Sequence, residues 1–230
     1  MPKHGAVTLK TATKQEYELK NERILIMKKV LSIALILVTV LALFSSCKSG
    51  KPVQSGDYEY VVLEDNTAKI TKYLGTADVP ELHIPSSIDE YTVTVIGKEA
   101  FKDVQCIRKV YTPDTLTKIE EYAFANSSIK NALMNRSKLL TEIGAYAFSE
   151  CKELIQADMP VSLVSLGEYT FYYCEKLRIA QFRGDPETFG EFVFDACPKV
   201  VVRFKDSAVK VKQYVEMYQL NFKITDNTGK

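Results

Sequence analysis

Phenylalanines recur along the chain at a nearly constant spacing. Five of them end similar segments, IGKEAF, IEEYAF, IGAYAF, LGEYTF and FGEFVF, at Phe101, Phe124, Phe148, Phe171 and Phe194. The intervals are 23, 24, 23 and 23 residues. An apolar residue lies five positions before each of them, at Ile96, Ile119, Ile143, Leu166 and Phe189. Four copies have another apolar residue three positions further back, at Val93, Leu116, Leu140 and Leu163. The pattern is that of a tandem repeat.

A period near 23 residues is typical of a unit that contains one strand and a short helix or 3-10 turn. One such unit cannot bury its apolar face alone, whereas stacked units can. Apolar runs with strand character occur between the repeated segments, at 107–113, 154–160 and 177–182. A further column lies six positions after the phenylalanines, at Ile107, Lys130, Leu154, Leu177 and Val200. In the second repeat the apolar residue slips by one position, so that Ile129 takes the place of Lys130. The sequence therefore predicts an α/β solenoid of about five repeats.

A column of small residues lies three positions after the phenylalanines, at Val104, Ser127, Cys151, Cys174 and Cys197. Because valine and serine share the column, size matters more there than sulfur, and we predict free, buried thiols. An export signal would also permit disulfides. Three equivalent cysteines cannot all pair with one another, however. Cys106 lies off this column and has no explanation in the repeat.

A second column is aromatic and lies two positions before the phenylalanines, at Tyr122, Tyr146, Tyr169 and Phe192. One hypothesis is an exposed stripe that stacks on sugar rings or on a partner. The other is stacking between repeats at the edge of the core, and this is the one that we expect.

Residues 142–160, EIGAYAFSECKELIQADMP, resemble the unit of the BspA-type leucine-rich repeat family. Residues 58–97 resemble the family's N-terminal hairpin and lead-in repeat, and residues 207–224 resemble its closing helix and strand. The resemblance is weakest at 125–139 and after Val200. It implies a leucine-rich-repeat solenoid with a β-hairpin cap, a helix-and-strand cap and a place among bacterial surface proteins.

The N-terminal region has the pattern of an export signal. Two lysines after Met27 precede fifteen uncharged residues, 30–44, and two serines then lead to Cys47. The segment FSSC resembles the lipobox of bacterial lipoproteins, which implies lipidation of Cys47. The alternative is an uncleaved signal anchor, although the apolar run is shorter than the roughly 20 residues that a spanning helix needs. Residues 1–26 fit no part of the signal, so we expect translation to start at Met27.

These patterns divide the chain into six parts. We predict a mis-assigned start or disordered extension, a lipoprotein signal peptide, a tether, an N-terminal cap with lead-in repeat, the leucine-rich repeats and a C-terminal cap, at 1–26, 27–46, 47–56, 57–92, 93–205 and 206–230.

The charge and the motifs exclude several classes of function. The first 46 residues carry 7 basic and 3 acidic residues, and the rest carries 23 against 26, which argues against a nucleic-acid partner. The mature chain has one histidine, His83, and no CxxC pair, so we predict no catalytic residue, no metal site and no enzyme activity. Neither phosphate-binding glycine motif is present, and we expect no cofactor.

The outward face of the stacked strands is the candidate binding surface, because solenoids usually bind there. Strand alternation nominates Lys109, Tyr111, Gln156, Asp158, Ile179 and Gln181. The alternative is an ordinary solvated sheet. Five strands offer a face on the order of 400 Å², which is below the ~800 Å² per partner of a stable interface. Weak contacts repeated over many copies would compensate for that small area.

The sequence thus favours a lipid-anchored, adhesin-like envelope protein. Its partner would be a host or bacterial surface protein or a glycan, and its membrane anchor would be Cys47. Lys48 is not the aspartate associated with retention in the inner membrane, so the expected location is the outer membrane, with surface exposure left open. The alternative is a periplasm-facing structural or accessory lipoprotein without an external ligand.

Overall fold

The structure is a computed structural model that describes residues 50–225. The chain divides into two compact units, Met1–Lys48 and Ser49–Lys230, and all described residues belong to the second. The predicted extension, the signal peptide and Cys47 lie outside the described residues. The second unit has its own apolar core, so its fold follows from its own packing.

Two sheets run along the length of the second unit. The first contains β1 to β3, β5, β6 and a ladder of two-residue strands: Val53–Ser55, Tyr58–Val62, Ala68–Tyr73, Ser87–Ile88, Tyr91–Ile96, and then β8 Lys118–Ile119, β10 Glu142–Ile143, β12 Ser165–Leu166 and β14 Thr188–Phe189. The second has seven parallel strands: β4 Val79–His83, β7 Ile107–Tyr111, β9 Asn131–Leu133, β11 Gln156–Met159, β13 Ile179–Phe182, β15 Val201–Phe204 and β16 Asn221–Ile224. The predicted solenoid is confirmed, with more strands than the five repeats alone imply.

The N-terminal cap consists of three antiparallel strands, β1 to β3, and β3 joins the solenoid. β1 pairs with β2 across a turn at Gly56, whose φ of 55° is the left-handed conformation that glycine adopts readily. β3 then runs parallel to β6. The predicted tether, 47–56, is thus too long, because Val53–Ser55 satisfies its backbone by pairing with Tyr58–Val62.

Each repeat alternates a strand of the seven-stranded sheet, a short strand of the other sheet, and a tight turn segment between them. We call five segments the turn segments. Each begins at the second position of the repeated motif (the glycine of IGAYAF) and ends two residues after its phenylalanine; they are 97–103, 120–126, 144–150, 167–173 and 190–196. The predicted short helix is a series of turns here, because each segment contains two left-handed residues four positions apart. In the third repeat they are Tyr146 and Glu150, at φ 56° and 58°.

The turn segments are joined by a ladder of backbone hydrogen bonds. In the second repeat the N–H groups of Tyr122, Phe124 and Asn126 donate to carbonyl oxygens of the next repeat, at 3.1, 2.7 and 2.8 Å. The first, third and fourth turn segments do the same to the segment that follows each of them. The turns are therefore bonded in register much as strands are, and the repeat length cannot vary there without breaking this ladder.

The five phenylalanines form one column inside the solenoid, as the sequence predicts. Their ring centroids lie 4.8, 5.0, 5.4 and 5.4 Å apart, with the planes within 16° of parallel. Each of Phe101 to Phe171 is completely buried, and Phe194 at the end of the column retains 4% exposure. Ile129 is buried and Lys130 is not, which confirms the slip in the second repeat.

The cysteine column lies against this core, and its burial is confirmed. Cys151, Cys174 and Cys197 are buried free thiols, and each Sγ donates to a carbonyl oxygen of the preceding repeat, at 3.1, 3.2 and 2.9 Å. Off the column, Cys106 is partly exposed and its thiol donates to Gly75 O at 3.3 Å.

The solenoid ends in the predicted helix and strand. Helix α1, Val209–Met217, buries Val211, Tyr214 and Val215 against the last repeat. No side chain of its own caps its N-terminus. Asp185 of the preceding repeat accepts hydrogen bonds from Lys210 N at 3.1 Å and Val211 N at 3.0 Å, which supplies the missing cap. β16 then adds to β15 and forms the C-terminal edge of the seven-stranded sheet.

Candidate binding face

The outward side chains of the seven-stranded sheet form two rows across the solenoid, and we call these two rows the strand face. The register places Glu81, Lys109, Asn131, Gln156, Ile179, Val201 and Asn221 in one row. It places His83, Tyr111, Leu133, Asp158, Gln181, Arg203 and Lys223 in the other. The six residues nominated from the sequence therefore lie together, three in each row.

Lys109 and Tyr111 lie at the N-terminal end of the strand face, and both have partners on β4. Lys109 Nζ donates to Glu81 Oε1 at 2.7 Å. That hydrogen bond is the main reason that the pKa of Lys109 is raised and the pKa of Glu81 lowered. Tyr111 stacks on His83 with the ring centroids 4.3 Å apart and the planes 2° from parallel. His83 thus belongs to a flat aromatic pair at the end of a strand.

Asp158, at the centre of the strand face, is less accessible than strand alternation predicts. Its side chain is 9% exposed because Gln156 Nε2 donates to it at 2.9 Å and Arg183 lies 3.4 Å away. The carboxylate is satisfied by its own chain. Asp158 therefore positions Gln156 and Arg183 at the surface and offers little free charge of its own.

Ile179 and Gln181 lie toward the C-terminal end and are both partly exposed. Gln181 Nε2 donates to Arg203 O at 3.2 Å and to Phe182 O at 3.1 Å, which ties β13 to β15 from the outside. Ile179 lies beside Val201 of the next strand. This end of the strand face therefore combines aliphatic surface with a fixed amide.

Several residues of the two rows were not predicted from the sequence. Asn131 and Leu133 were missed because the second repeat lacks a clear strand motif, although the Ile129 slip already gives its register. The others lie outside the strand-like runs recognised in the sequence: Glu81, His83, Val201, Arg203, Asn221 and Lys223. Their alternation of polar and apolar residues was the available signal for them.

The aromatic column lies along the turn segments and stacks between repeats, as expected. Tyr122, Tyr146, Tyr169 and Phe192 have successive centroid distances of 4.9, 5.1 and 5.5 Å. The tyrosines are half-buried, and Phe192 at the end of the column is 41% exposed, with its edge against Tyr218. The column stabilises the stack and leaves tyrosine edges, with few whole ring faces, at the surface.

A shallow hollow of about 350 Å³ lies on the turn side, and Gly144 and Gly167 are among the residues that line it. A Cβ at Gly144 or Gly167 would lie 2.8 or 2.3 Å from backbone nitrogen of the preceding repeat. Glycine is needed there because two backbones approach each other closely. The hollow is a consequence of that packing, and the lysines and glutamates around it are surface side chains.

The buried thiols are poor nucleophiles in this environment. Burial raises the pKa of the Cys151 thiol to about 11, and burial likewise raises that of Cys174. A thiol that stays protonated neither attacks carbonyl groups nor binds metal ions well. Within residues 50–225, no group of three or more His, Cys, Asp or Glu side chains is arranged to hold a metal ion.

Comparison with known proteins agrees with this geometry. The model of the family described as "BspA type Leucine rich repeat region" matches residues 73–201, in six copies. The chain belongs to the BspA-type leucine-rich repeat family. The matched range begins at Tyr73, before the five phenylalanine repeats, and includes β4, which pairs with β7 in the same stack.

Solved structures of leucine-rich repeat proteins share the fold. The crystal structure of the T. pallidum leucine-rich repeat protein is 20% identical, with a TM-score of 0.55, and the match covers 77% of this chain and 84% of that one. The pneumococcal vaccine antigen PcpA is also 20% identical, with a TM-score of 0.50, over 67% of this chain and 41% of its own. The chain matches no curated protein. Among the described helices, none is long and apolar enough to cross a membrane.

Proposed function

We propose that this BspA-type protein is a lipid-anchored envelope protein that binds a macromolecular partner through its strand face. The observation that supports this proposal is the continuous register of seven strands, which places fourteen outward positions in two rows. Leucine-rich repeat proteins generally bind macromolecules, and stacked strands are the usual surface. Half-buried aliphatic residues such as Leu133, Ile179 and Val201 lie among polar ones there, a composition suited to protein contact.

The turn side is a weaker candidate for the binding surface. Its backbone groups are bonded to the adjacent repeat, and its aromatic column stacks internally. The identity of most turn residues is also set by the repeat, since glycine, tyrosine and phenylalanine are needed for packing. The strand face has no such requirement, so its composition is free to follow a ligand.

Lipidation of Cys47 would hold the solenoid close to a membrane. Two or more acyl chains anchor a protein stably. Only 48–52 would separate the lipid from β1, which begins at Val53. Five extended residues reach at most about 17 Å. The partner must therefore be accessible near the membrane surface. We propose that this membrane is the outer membrane, since Lys48 is not the aspartate associated with retention in the inner membrane.

The size of the strand face favours binding by many copies. Seven strands about 4.8 Å apart and about 15 Å long give roughly 500 Å², still below the ~800 Å² per partner of a stable interface. A single contact of that size is weak. Many lipidated copies on one surface would bind a repetitive partner with avidity.

A binding array tests the proposal. The fragment 48–230, which contains the complete core, is incubated with matrix proteins, bacterial surface proteins and glycans. We expect binding that is lost in a strand-face variant combining Tyr111→Ala, Gln156→Ala and Ile179→Ala. Glu168→Ala with Glu191→Ala on the turn side is the control and should leave binding unchanged. Binding that survives the strand-face variant, or no binding at all, contradicts the proposed surface.

Protease treatment of intact cells tests the location. If the protein faces outward, added protease removes it before lysis. A chain that stays protected until the cells are lysed would support the alternative, a periplasm-facing accessory lipoprotein without an external ligand. Labelling with a lipid precursor tests the anchor, since a Cys47→Ala chain should take up no label.

A further inference from the structure

The side of the solenoid that carries the strand face is basic, although residues 47–230 contain more acidic than basic residues. The seven strands and the residues directly before them contain six cations, namely Arg108, Lys109, Lys130, Arg178, Arg203 and Lys223. The same region contains three carboxylates, Asp78, Glu81 and Asp158. The excess of positive charge is therefore local to this side of the solenoid.

Each of these carboxylates already lies beside a cation of its own chain. Glu81 pairs with Lys109 at 2.7 Å, and Asp158 pairs with Arg183 at 3.4 Å. Arg108 has a distant partner, Asp78, at 3.8 Å. Four cations form no ion pair with any residue in the described part of the chain: Lys130, Arg178, Arg203 and Lys223. A negative ligand would therefore meet four cations that form no ion pair of their own within residues 50–225.

Three of the cations line one margin of the sheet. Arg108, Lys130, Ile155 and Arg178 lie at the same position of successive repeats. Lys130 N donates to Arg108 O at 2.7 Å, Ile155 N to Lys130 O at 2.8 Å, and Arg178 N to Ile155 O at 2.9 Å. We call these four residues the leading edge. Glu153 lies nearby and pairs with Lys176; that hydrogen bond is the main cause of its lowered pKa, and Lys130 and Arg108 add to it.

The other free cations lie at the opposite end of the strand face. Arg203 and Lys223 are neighbours in register on β15 and β16. Arg203 Nε is buried and has no hydrogen-bond partner among the described residues. Because Nε is inaccessible to a ligand, a carboxylate would pair with the two terminal nitrogens of this guanidinium, which also gives a bidentate geometry.

Aliphatic side chains lie between these charges. Ile155 is 39% exposed within the leading edge. Ile179 and Val201 are adjacent and partly exposed, next to the row that contains Arg203. A ligand that carries charge alone, such as a sulfated glycan, would leave this surface in water. A polypeptide that alternates acidic and aliphatic side chains would cover it.

The turn side carries the opposite charge. The turn segments contain two lysines, Lys98 and Lys102, and eight carboxylates, which are Glu99, Asp103, Glu120, Glu121, Glu150, Glu168, Glu191 and Asp195. The protein is thus polarised across its short dimension. A negatively charged partner would be attracted to the strand face and repelled from the turn side, which orients its approach.

We propose that the strand face recognises an acidic segment of a partner protein. This inference rests on the proposed function and names the partner's chemistry. Carboxylates of the segment pair with Arg203 and Lys223 at one end and with Lys130 and Arg178 at the leading edge. Its aliphatic side chains pack on Ile179 and Val201.

The test measures binding of the 48–230 fragment to two synthetic twelve-residue peptides. One is three copies of Glu-Val-Glu-Ser, and the other has glutamine in place of every glutamate. We expect the acidic peptide to bind at least tenfold more tightly. The double variant Arg203→Gln and Lys223→Gln should lose at least tenfold in affinity for it. Lys98→Gln with Lys102→Gln removes the same charge from the turn side and should lose less than twofold. Circular dichroism checks that each variant is folded.

Further arms separate this inference from the proposed function. Ile179→Asn with Val201→Asn removes aliphatic surface and leaves the charge unchanged. If an array partner is lost with this pair but unaffected by Arg203→Gln and Lys223→Gln, the acidic-segment proposal is wrong while the strand face stands. Heparin that binds more tightly than the acidic peptide overturns it in favour of a glycan. Association of the fragment with itself, lost in the same charge variant, overturns it in favour of a second copy's acidic turn side.

Discussion

The strand side and the turn side of the same repeat differ in how strictly they constrain the sequence. On the turn side, three positions of the IGxYAF motif recur because their residues pack between repeats. Glycine lies where two backbones approach closely, tyrosine stacks in one column and phenylalanine stacks in another. On the strand side, only the inward residues are constrained, and the outward ones range from lysine to isoleucine. One side specifies the fold, and the other is free to specify a partner.

The difference has a physical origin in the backbone. Strand pairing satisfies N–H and C=O groups whatever the outward side chain is. The turn segments satisfy theirs only with two left-handed residues per repeat and a close approach of successive backbones. Left-handed conformations cost non-glycine residues about 1–2 kcal/mol each. The aromatic and phenylalanine columns offset that cost, so the turn side tolerates few changes.

The largest expected effect is the removal of a ring from the phenylalanine column. Phe148 is fully buried and stacks on both neighbours at 5.0 and 5.4 Å. Phe148→Ala should lower the free energy of unfolding by about 3–5 kcal/mol, measured by urea denaturation of the 48–230 fragment. Tyr111→Ala removes a ring from the strand face, where it is partly exposed, and should cost about 1 kcal/mol. Equal losses would show that the two sides contribute alike.

A methyl group at the close approach should have the next largest effect. In Gly167→Ala the new Cβ would lie 2.3 Å from Ala145 N, so the backbones of two repeats must separate. We expect a loss of about 2–3 kcal/mol in thermal or urea unfolding.

Gly56→Ala is the control for that variant. Gly56 has φ 55° and no atom within 4 Å of a new Cβ, so it should lose only the ~1 kcal/mol of a left-handed alanine. If the two variants lose the same amount, the close approach of the two backbones is not the constraint at Gly167.

These constraints explain what the sequence predicts well. The columns of Phe148 and Cys151 repeat at fixed spacing because they are buried, and from them follow the solenoid, its register and its core. The turn conformation could not be predicted in this way. Tyrosine at a left-handed position is rare, and nothing in IGAYAF indicates that Tyr146 adopts it.

The sequence predicts only part of the candidate face, because it reveals local patterns and not contacts between repeats. Alternation identified Gln156 and Ile179 as outward-facing, because alternation is local. It could not reveal that Asp158 is buried by Arg183, since that arginine comes from the next strand. Arg203 and Lys223 follow the same alternation on β15 and β16, but they lie outside the strand-like runs that the repeat pattern identified.

The cysteine column predicts an effect of pH. Burial raises the Cys151 pKa to about 11 from 9.0, so between these values the thiol ionises in the unfolded chain and stays protonated in the folded one. This contribution to stability is fully present below pH 9 and is lost as pH rises toward 11. At pH 10 we expect a loss of about 1.4 kcal/mol relative to pH 8 from this one thiol.

Cys151→Ser isolates that contribution. Serine does not ionise in this range, and Ser127 shows that the column accepts a hydroxyl. Urea unfolding of both proteins between pH 8 and 10 gives the difference, with the tyrosines common to both. A drop that is unchanged in Cys151→Ser would mean that other groups cause it.

The smallest expected effect gives the sharpest contrast, because one substitution should change sign between the two sides. Glu150 is exposed and left-handed at φ 58°. Glu150→Gly removes about 1–2 kcal/mol of strain and adds about 0.5–1 kcal/mol of backbone entropy cost, so the protein should gain roughly 0.5 kcal/mol. Asn131 is outward-facing on β9, where glycine gives no relief of strain. Asn131→Gly should therefore lose about 0.5–1 kcal/mol. Urea midpoints that shift in opposite directions would support a backbone origin for the difference between the two sides, whereas a loss in both would place it in the side chains.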